Sequence, residues 1–498
     1  MGMSGGQELA WTLQLKPELI LAALVLLTLP LGVALPARWR ALTTWLTLAG
    51  LLAAGAVTVS MLGQPAQAVF DATYAVDPFA LYFKLFALAA TGLTLLATLG
   101  RFHGKPFEGV VPAMLALTCL GVMGLAASQD LALIALFLQI TTVGSYVLVG
   151  MAKDERLATE AALKLFLFSA ASSAVMIYGM TFLFGLTGTL RLPQLAQRLP
   201  SAPALIVVLA LCFVLAGYGY EITLAPFHFW APDTYQGAPT PISGFLSVAP
   251  KAGGLAVLLR TGMIALPRGL DGWPLLIALL AALTMTVGNI LALRQTSLKR
   301  LLAYSSIAQV GYILVGVATA PYSAFGVEGM LLYLLVYLFM NLGAFLAVEA
   351  LERRAGSDDL KAVAGYGRRM PFSAAALGLC LLSLAGFPPL GGFIAKTLLF
   401  GAALGAGWLW LAVVMAVNVA LSLYYYLRVI EALYLRAAFT GEQTPETRSP
   451  AYGAPSGAPL RVAIGVLTLA ALLSGIYPEP FVALASHTAQ VLGAVALP

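Results

Sequence analysis

Four ionisable side chains stand inside runs that are otherwise apolar: Lys164 in ALKLFLFSAASSAV, Glu221 in GYGYEITLAPFHFW, Lys251 in SVAPKAGGLAV and Lys396 in LAGFPPLGGFIAKTLLF. The chemistry such groups support is proton transfer. An amine held in a low-dielectric environment keeps its proton weakly, and a carboxylate close by strengthens the hold. Moving the carboxylate, or changing its protonation, therefore switches the amine between taking up a proton and releasing it. Each residue also has a plainer reading. Lys164 can pair with Glu160, one turn earlier on the same helix face. Glu221 can pair with a lysine for structure alone, and Lys251 can snorkel past a packing defect. His228, farther along the segment that carries Glu221, is either a proton-relay partner or a hydrogen-bonded bundle histidine.

The neighbouring residues say what positions these groups. Pro388, Pro389, Gly391 and Gly392 run just ahead of Lys396, and Pro226 follows Glu221 closely. Proline lacks an amide hydrogen and glycine loosens the backbone, so neither segment continues as regular helix. In a bilayer such a break survives only where protein or a polar cavity satisfies the freed amides and carbonyls. A lysine beside it costs about 2.5–3.5 kcal/mol on insertion scales. Pro250, Gly253 and Gly254 predict a similar local irregularity around Lys251.

Composition sets the class. The 498 residues are 60% hydrophobic and 10% charged, with mean hydropathy +0.92. Soluble domains carry about 25% charged residues, so the chain is a polytopic membrane protein. The net charge of +6 comes from basic residues in short loops, which points to membrane topology and to the lipid bilayer, not to nucleic acid. Cys119, Cys212 and Cys380 lie in apolar spans without metal-ligand spacing, and the three histidines are scattered. Neither a disulfide nor a metal site is indicated. No nucleotide-binding loop, haem or iron–sulfur ligand set is present, so redox chemistry and nucleotide hydrolysis within this chain are not expected.

A span needs about 20 apolar residues, and the pattern predicts about fourteen: 18–35, 41–62, 79–100, 109–127, 131–151, 160–187, 203–235 (broken), 241–263, 273–293, 301–319, 326–351, 371–404 (broken), 406–435 and 460–477. Residues 480–496 are expected to form an interfacial tail. Sixteen basic residues fall in the odd-numbered loops: Arg38, Arg40, Arg101, Lys105, Lys153, Arg156, Arg294, Lys299, Arg300, Arg353, Arg354, Lys361, Arg368, Arg369, Arg436 and Arg448. The other side has four, Lys16, Arg191, Arg198 and Arg268. Basic loops are cytoplasmic, so both termini are expected on the non-cytoplasmic side.

The fold expected is thus an all-α polytopic membrane protein of about fourteen helices. The seventh and twelfth spans are the broken ones, five apart, so successive five-helix units have opposite orientations. That is the inverted-repeat logic of secondary transporters. The units are residues 1–127 (helices 1–4, the fourth opening the first repeat), 109–263 (first repeat, helices 4–8), 273–435 (second, inverted repeat, helices 9–13) and 460–498 (C-terminal helix and tail). Lys84, Arg260, Arg428 and Arg461 lie near span ends and are expected to snorkel to the interface. Glu349 and Glu352 lie near a span end, close enough to water for a salt-bridge role.

Longer motifs add a family. The run PFHFWAPDTYQGAPTPISGFLSVAPKAG (226–253) resembles the signature of the antiporter-like subunit N of complex I, the NADH–quinone oxidoreductase. Residues 158–188, 289–316 and 384–400 fit the same family, and the resemblance covers about 70–440. It implies a fourteen-helix proton-pumping module in a cell inner (cytoplasmic) membrane, an enzyme only as a subunit of a translocase. Lys164, Lys251 and Lys396 match the family's lysines on helices 6, 8 and 12. Two positions depart. The family's helix-5 glutamate falls on Gln139, and its helix-7 lysine falls on Glu221. Gln139 cannot titrate, so Glu221 is expected to take over the acid's role and pair with Lys164, Lys251 or both.

The resemblance further implies no cofactor in this chain, with NADH, FMN, iron–sulfur clusters and quinone bound by other subunits. It implies membrane-arm partners that include antiporter-like neighbours. The rivals are an Mrp-type cation/proton antiporter, a ferredoxin-linked relative, and a structural membrane-arm subunit that no longer pumps.

Overall fold

The computed structural model describes residues 14–153, 155–266, 272–436 and 457–496. Arg268, Arg448 and the last two residues of the tail lie outside the described residues. Among the described residues, twelve helices are long and apolar enough to cross a membrane. Leaving aside two short helices, Leu192–Arg198 and Tyr366–Arg369, the helices in chain order are α1 (Lys16–Ala34), α2 (Ala41–Ser60), α3 (Pro78–Thr98), α4 (Val111–Ala127), α5 (Leu131–Gly150), α6 (Arg156–Thr187), α7 (Ala204–Glu221), α8 (Trp230–Gly237) and α9 (Thr240–Ile264). They continue with α10 (Gly272–Ala292), α11 (Leu298–Thr319), α12 (Ala324–Tyr337), α13 (Gly343–Ala355), α14 (Pro371–Ala385), α15 (Gly391–Gly405), α16 (Leu409–Tyr434), α17 (Ala458–Ile476) and α18 (Glu479–Ala496).

The chain is mostly helical but not wholly so. A short antiparallel hairpin pairs β1 (Gln67–Val69) with β2 (Tyr74–Val76) between α2 and α3. The segment expected as an interfacial tail forms α18, which packs against α3 and α12. Helices α9, α11 and α12–α13 form the centre of the bundle and are almost entirely buried, whereas α1, α2, α6 and α17 turn most of their surface outward.

Both expected breaks are present, and each satisfies its freed backbone groups. The first runs from Ile222 to Phe229 between α7 and α8 and contains Pro226. The freed carbonyl of Tyr220 accepts from the Trp230 indole at 3.1 Å. The Ala225 amide donates to Thr284 Oγ1 on α10 at 3.2 Å. The second runs from Gly386 to Leu390 between α14 and α15 and holds Pro388 and Pro389. Gly386 closes α14 in the left-handed region (φ 85°), which only glycine enters cheaply.

Gly391 and Gly392 belong to the first turn of α15 and not to the break. Their role is close approach. A Cβ on Gly392 would stand 1.8 Å from the Ser383 carbonyl oxygen, and one on Gly391 would stand 2.1 Å from Ser474 Oγ.

The irregularity expected around Lys251 is absent, and α9 is continuous through Pro250. Proline at this position leaves the carbonyl four residues earlier without its helical donor. That carbonyl, of Leu246, accepts from the Tyr235 hydroxyl at 3.3 Å. Gly254 lets the first break approach, because a Cβ there would lie 2.6 Å from Ile222 Cγ2 and 3.1 Å from Glu221 Cγ. One irregularity has no signal in the sequence: a π-helical segment, Leu338–Leu342, joins α12 to α13.

Candidate functional site

Lys396 lies in the second turn of α15 and is 3% exposed. Its ammonium donates to the carbonyls of Leu384 at 2.8 Å and Ala385 at 3.0 Å, the last residues of α14. It also faces the Tyr312 ring, 4.7 Å from the centroid. The break thus presents two peptide carbonyls to the lysine that follows it. Among the described residues no carboxylate lies within 4.0 Å of this ammonium.

Lys251, in the middle of α9, is 1% exposed and equally without an acid among the described residues. It donates to Ser306 Oγ on α11 and faces the Tyr235 ring at 5.7 Å. The Tyr337 hydroxyl reaches the same Ser306 oxygen at 2.8 Å and the Ser247 carbonyl at 3.2 Å. Asn341, within the π segment, donates to Ser247 Oγ at 2.7 Å.

Lys164 is placed differently. Its side chain is 37% exposed, so it is not a deeply buried charge. It pairs with Glu160 at 2.8 Å, as its spacing allowed, and with Asp233 on α8 at 2.6 Å. Asp233 also takes Arg300 at 2.6 Å, and Arg300 reaches Gln236 at 3.0 Å. Asp233 therefore ties α6, α8 and α11 together. Sequence reasoning passed over it because its partners are 69 and 67 residues away.

The expected pairing of Glu221 with Lys164 or Lys251 is not formed. Glu221 is 4% exposed, and no cationic nitrogen among the described residues lies within 4.0 Å of its carboxylate. It ends α7 against Gly254 and lines a cavity with Thr142, Ser145 and Tyr220. The space is about 10 Å³, enough for roughly one water molecule. Gln139 does not share this pocket; it sits on an exposed face of α5. Its Oε1 accepts from the Thr142 hydroxyl at 3.3 Å, so Thr142, which lines the cavity, stands between the amide and the acid. His228 lies within the first break, 5% exposed, stacked on Phe229 at 4.6 Å, with Nδ1 lacking a hydrogen-bond partner.

Lys84 and Arg260, expected to reach the interface, are buried instead, and Glu349 and Glu352 form salt bridges, as expected, but in buried positions. Lys84, fully buried, pairs with Glu18 at 2.6 Å, and Glu18 also accepts from the Tyr74 hydroxyl at 2.7 Å. Arg260, 1% exposed, makes two hydrogen bonds of 2.9 Å to Asp77 and a third of 3.0 Å to the Ala126 carbonyl. Glu349 has no exposed surface and takes both Arg101 at 3.1 Å and Arg353. Glu352 pairs with Lys299 at 3.6 Å and accepts from the Thr240 hydroxyl.

The fold has known counterparts. The family described as NADH:quinone oxidoreductase/Mrp antiporter, TM matches residues 128–422. The NADH-quinone oxidoreductase subunit N of an Anaeromyxobacter species is 38% identical, covering 96% of each chain. The subunit N 2 of Sorangium cellulosum is 41% identical, covering 86% of this chain and 89% of its own. Among solved structures, a chain of Thermus thermophilus respiratory complex I superposes with a TM-score of 0.78 at 33% identity, covering 94% of this chain and 99% of its own. A chain of the Mrp complex from Dietzia superposes with 0.85 at 22% identity, covering 97% and 100%, a likeness of fold alone. On this evidence the chain belongs to the NADH:quinone oxidoreductase/Mrp antiporter transmembrane family, and within it to the subunit N group.

Proposed function

We propose that this chain is the proton-translocating, antiporter-like subunit N of a complex I-type NADH–quinone oxidoreductase, moving protons with redox energy released in other subunits. The observation that carries the reading is the pair Lys251 and Lys396, both buried and both lacking an acid among the described residues. A lysine in that state is costly in a membrane interior and marks an ion pathway. In this reading Lys251 and Lys396 take up and release protons, Lys164 exchanges them near one membrane face, and Glu221 with His228 serves the first break.

The helix count supports fourteen spans: the twelve long helices, α4, and α14 with α15 as one broken span. The inverted repeats 109–263 and 273–435 are supported by the matching breaks after Glu221 and before Lys396. The excess of loop cations on one side supports a cytoplasmic-membrane protein with both termini on the other side. Its partners are then the other membrane-arm subunits, and NADH, FMN, iron–sulfur clusters and quinone belong to the rest of the complex.

A second reading, a membrane-arm subunit that no longer pumps, is favoured by Gln139 on an exposed face and by Glu221 without a cation within 4.0 Å among the described residues. The test is proton pumping per electron pair in vesicles that hold the assembled complex. Lys251→Ala and Lys396→Ala each abolish or sharply lower the yield if the chain pumps. Lys396→Arg rescues only in part, because a guanidinium does not release its proton. Full yield in both alanine variants establishes the structural reading.

A further inference from the structure

Between the two lysines lies a set of neutral groups with regular spacing. Helix α11 supplies Ser306 and, one turn on, Gln309; α12 supplies Tyr333 and, one turn on, Tyr337. Residues three or four apart share a helix face, so the two helices meet as a ladder of two rungs. Ser306 with Tyr337 is the first rung, and it carries Lys251. Gln309 with Tyr333 is the second, and it reaches Lys396 through a shared acceptor. The Leu384 carbonyl accepts from the Lys396 ammonium at 2.8 Å and from the Gln309 amide at 3.3 Å. The same amide nitrogen donates to the Tyr426 hydroxyl at 3.0 Å.

These contacts fix which way the amide points. A peptide carbonyl only accepts, so the atom facing Leu384 is the nitrogen, and Oε1 takes the Tyr333 hydroxyl. A hydroxyl accepts and donates at once, so a row of hydroxyls can hand a proton along. A carboxamide donates from nitrogen and accepts on oxygen. Passing a proton through it would form a bond at Oε1 and break one at Nε2, leaving the unfavourable imidic tautomer. The first rung can carry protons; the second carries orientation.

We propose that Gln309 is the positioning residue that couples Lys396 to Lys251, holding the two lysines in separate proton compartments while linking the hydrogen bonds of one to the state of the other. This rests on the reading that both lysines move protons. While the Lys396 ammonium holds the Leu384 carbonyl at 2.8 Å, Gln309 shares that oxygen at the longer distance of 3.3 Å. When the ammonium leaves, the amide closes on the carbonyl and draws on its bond to Tyr333. Tyr333 is one turn ahead of Tyr337, and the π segment begins immediately after Tyr337. π segments inside α-helices are frequent at functional sites, and here the pull is delivered where Tyr337 meets Ser306 and Lys251.

Two substitutions separate the two parts of the proposal. Gln309→Leu keeps the volume and removes all the amide's hydrogen bonds. In vesicles with the assembled complex it loses proton yield per electron pair while quinone reduction continues. Gln309→His places a group that can accept a proton on one nitrogen and release it from the other, and it raises the passive proton conductance of the vesicles. Should Gln309→Leu fail to assemble, Tyr333→Phe removes the second rung with the ring in place and gives the same loss of yield. Wild-type yield in Gln309→Leu, or in Tyr333→Phe where that variant stands in, overturns the coupling; wild-type conductance in Gln309→His overturns the barrier. If Lys251→Ala and Lys396→Ala also pump normally, the failure lies in the functional reading. If those two stop pumping and the Gln309 and Tyr333 variants do not, only this inference fails.

Discussion

Arg260 and Asp77 meet through two hydrogen bonds of 2.9 Å, joining the C-terminal end of α9 to the residue that caps α3. Asp77 also accepts from the Ala80 amide at 2.7 Å, so one carboxylate holds both a helix start and a buried guanidinium. The helix that carries Lys251 is thereby anchored to the N-terminal helices nine residues beyond the lysine.

Breaking that pair leaves a buried charge unpaired, which costs about 3–5 kcal/mol. Asp77→Asn is expected to lower the thermal stability of the purified complex by that order. Burial raises the Asp77 carboxyl, but the charge and hydrogen bonds of Arg260, with the Ala80 amide, outweigh it and hold the group below the usual carboxylate range. A carboxyl depressed in the folded state stabilises fully above its unfolded pKa of about 3.9, and that stability is lost as pH falls through the lower folded value. The gap between wild type and Asp77→Asn is therefore constant at neutral pH and narrows below about pH 4, as unfolding curves across pH will show.

Asp233, not Glu160, is expected to govern Lys164. Asp233→Asn releases both Lys164 and Arg300 and unties α8 from α6 and α11. Its effect is a lowered pumping rate with assembly retained, since these side chains are partly exposed and such pairs contribute about 0–1 kcal/mol. Glu160→Gln leaves the rate close to wild type. Equal losses in the two variants would assign Lys164 to a general surface charge effect.

Glu221→Gln keeps the shape of the side chain in its one-water cavity and removes no ion pair within 4.0 Å among the described residues. Stability in detergent should fall by no more than about 1 kcal/mol, the centre of point-substitution effects, because the swap keeps the side chain's shape. Pumping falls if the carboxyl carries a proton in turnover. An unchanged pH profile of pumping would show that the group serves packing alone.

The glycines at the second break are expected to tolerate nothing larger. Gly392→Ala meets the Ser383 carbonyl at 1.8 Å, and Gly475→Ala meets the Pro389 carbonyl at 2.1 Å. Both neighbours are backbone, so the segments must move apart, at a cost of about 1–3 kcal/mol or more. Gly378→Ala, with nothing within 4 Å, serves as the control. The yield of assembled complex after detergent extraction measures the difference.

The breaks were legible because proline and glycine act locally, and Lys396 and Lys251 were legible because a cation in an apolar run is conspicuous. Partners were not. Ser306 is 55 residues from Lys251, and Asp77 is 183 from Arg260, so Arg260 and Lys84 read as snorkelling side chains. The face of Gln139 was hidden for another reason: in a membrane span the outward face and the core are both apolar, and periodicity does not separate them. Glu221 at the end of α7 was legible as a buried acid, but the direction of its side chain depends on Gly254, on another helix. The π segment has no compositional mark, and the hairpin before α3 is too short to stand out.

The acceptors of Lys396 are peptide oxygens, which every amino acid supplies. Leu384 and Ala385 could change identity and still hold the ammonium, provided the turn keeps its shape. A search for residue pairs that vary together across relatives would therefore find no second column answering to this lysine. What must persist is the bend itself, written in Gly386 and the prolines, so the selective pressure on the charge falls on residues that lend it no polar side chain, and Gly386 also keeps room for it, since a Cβ there would stand 2.9 Å from Lys396 Cδ.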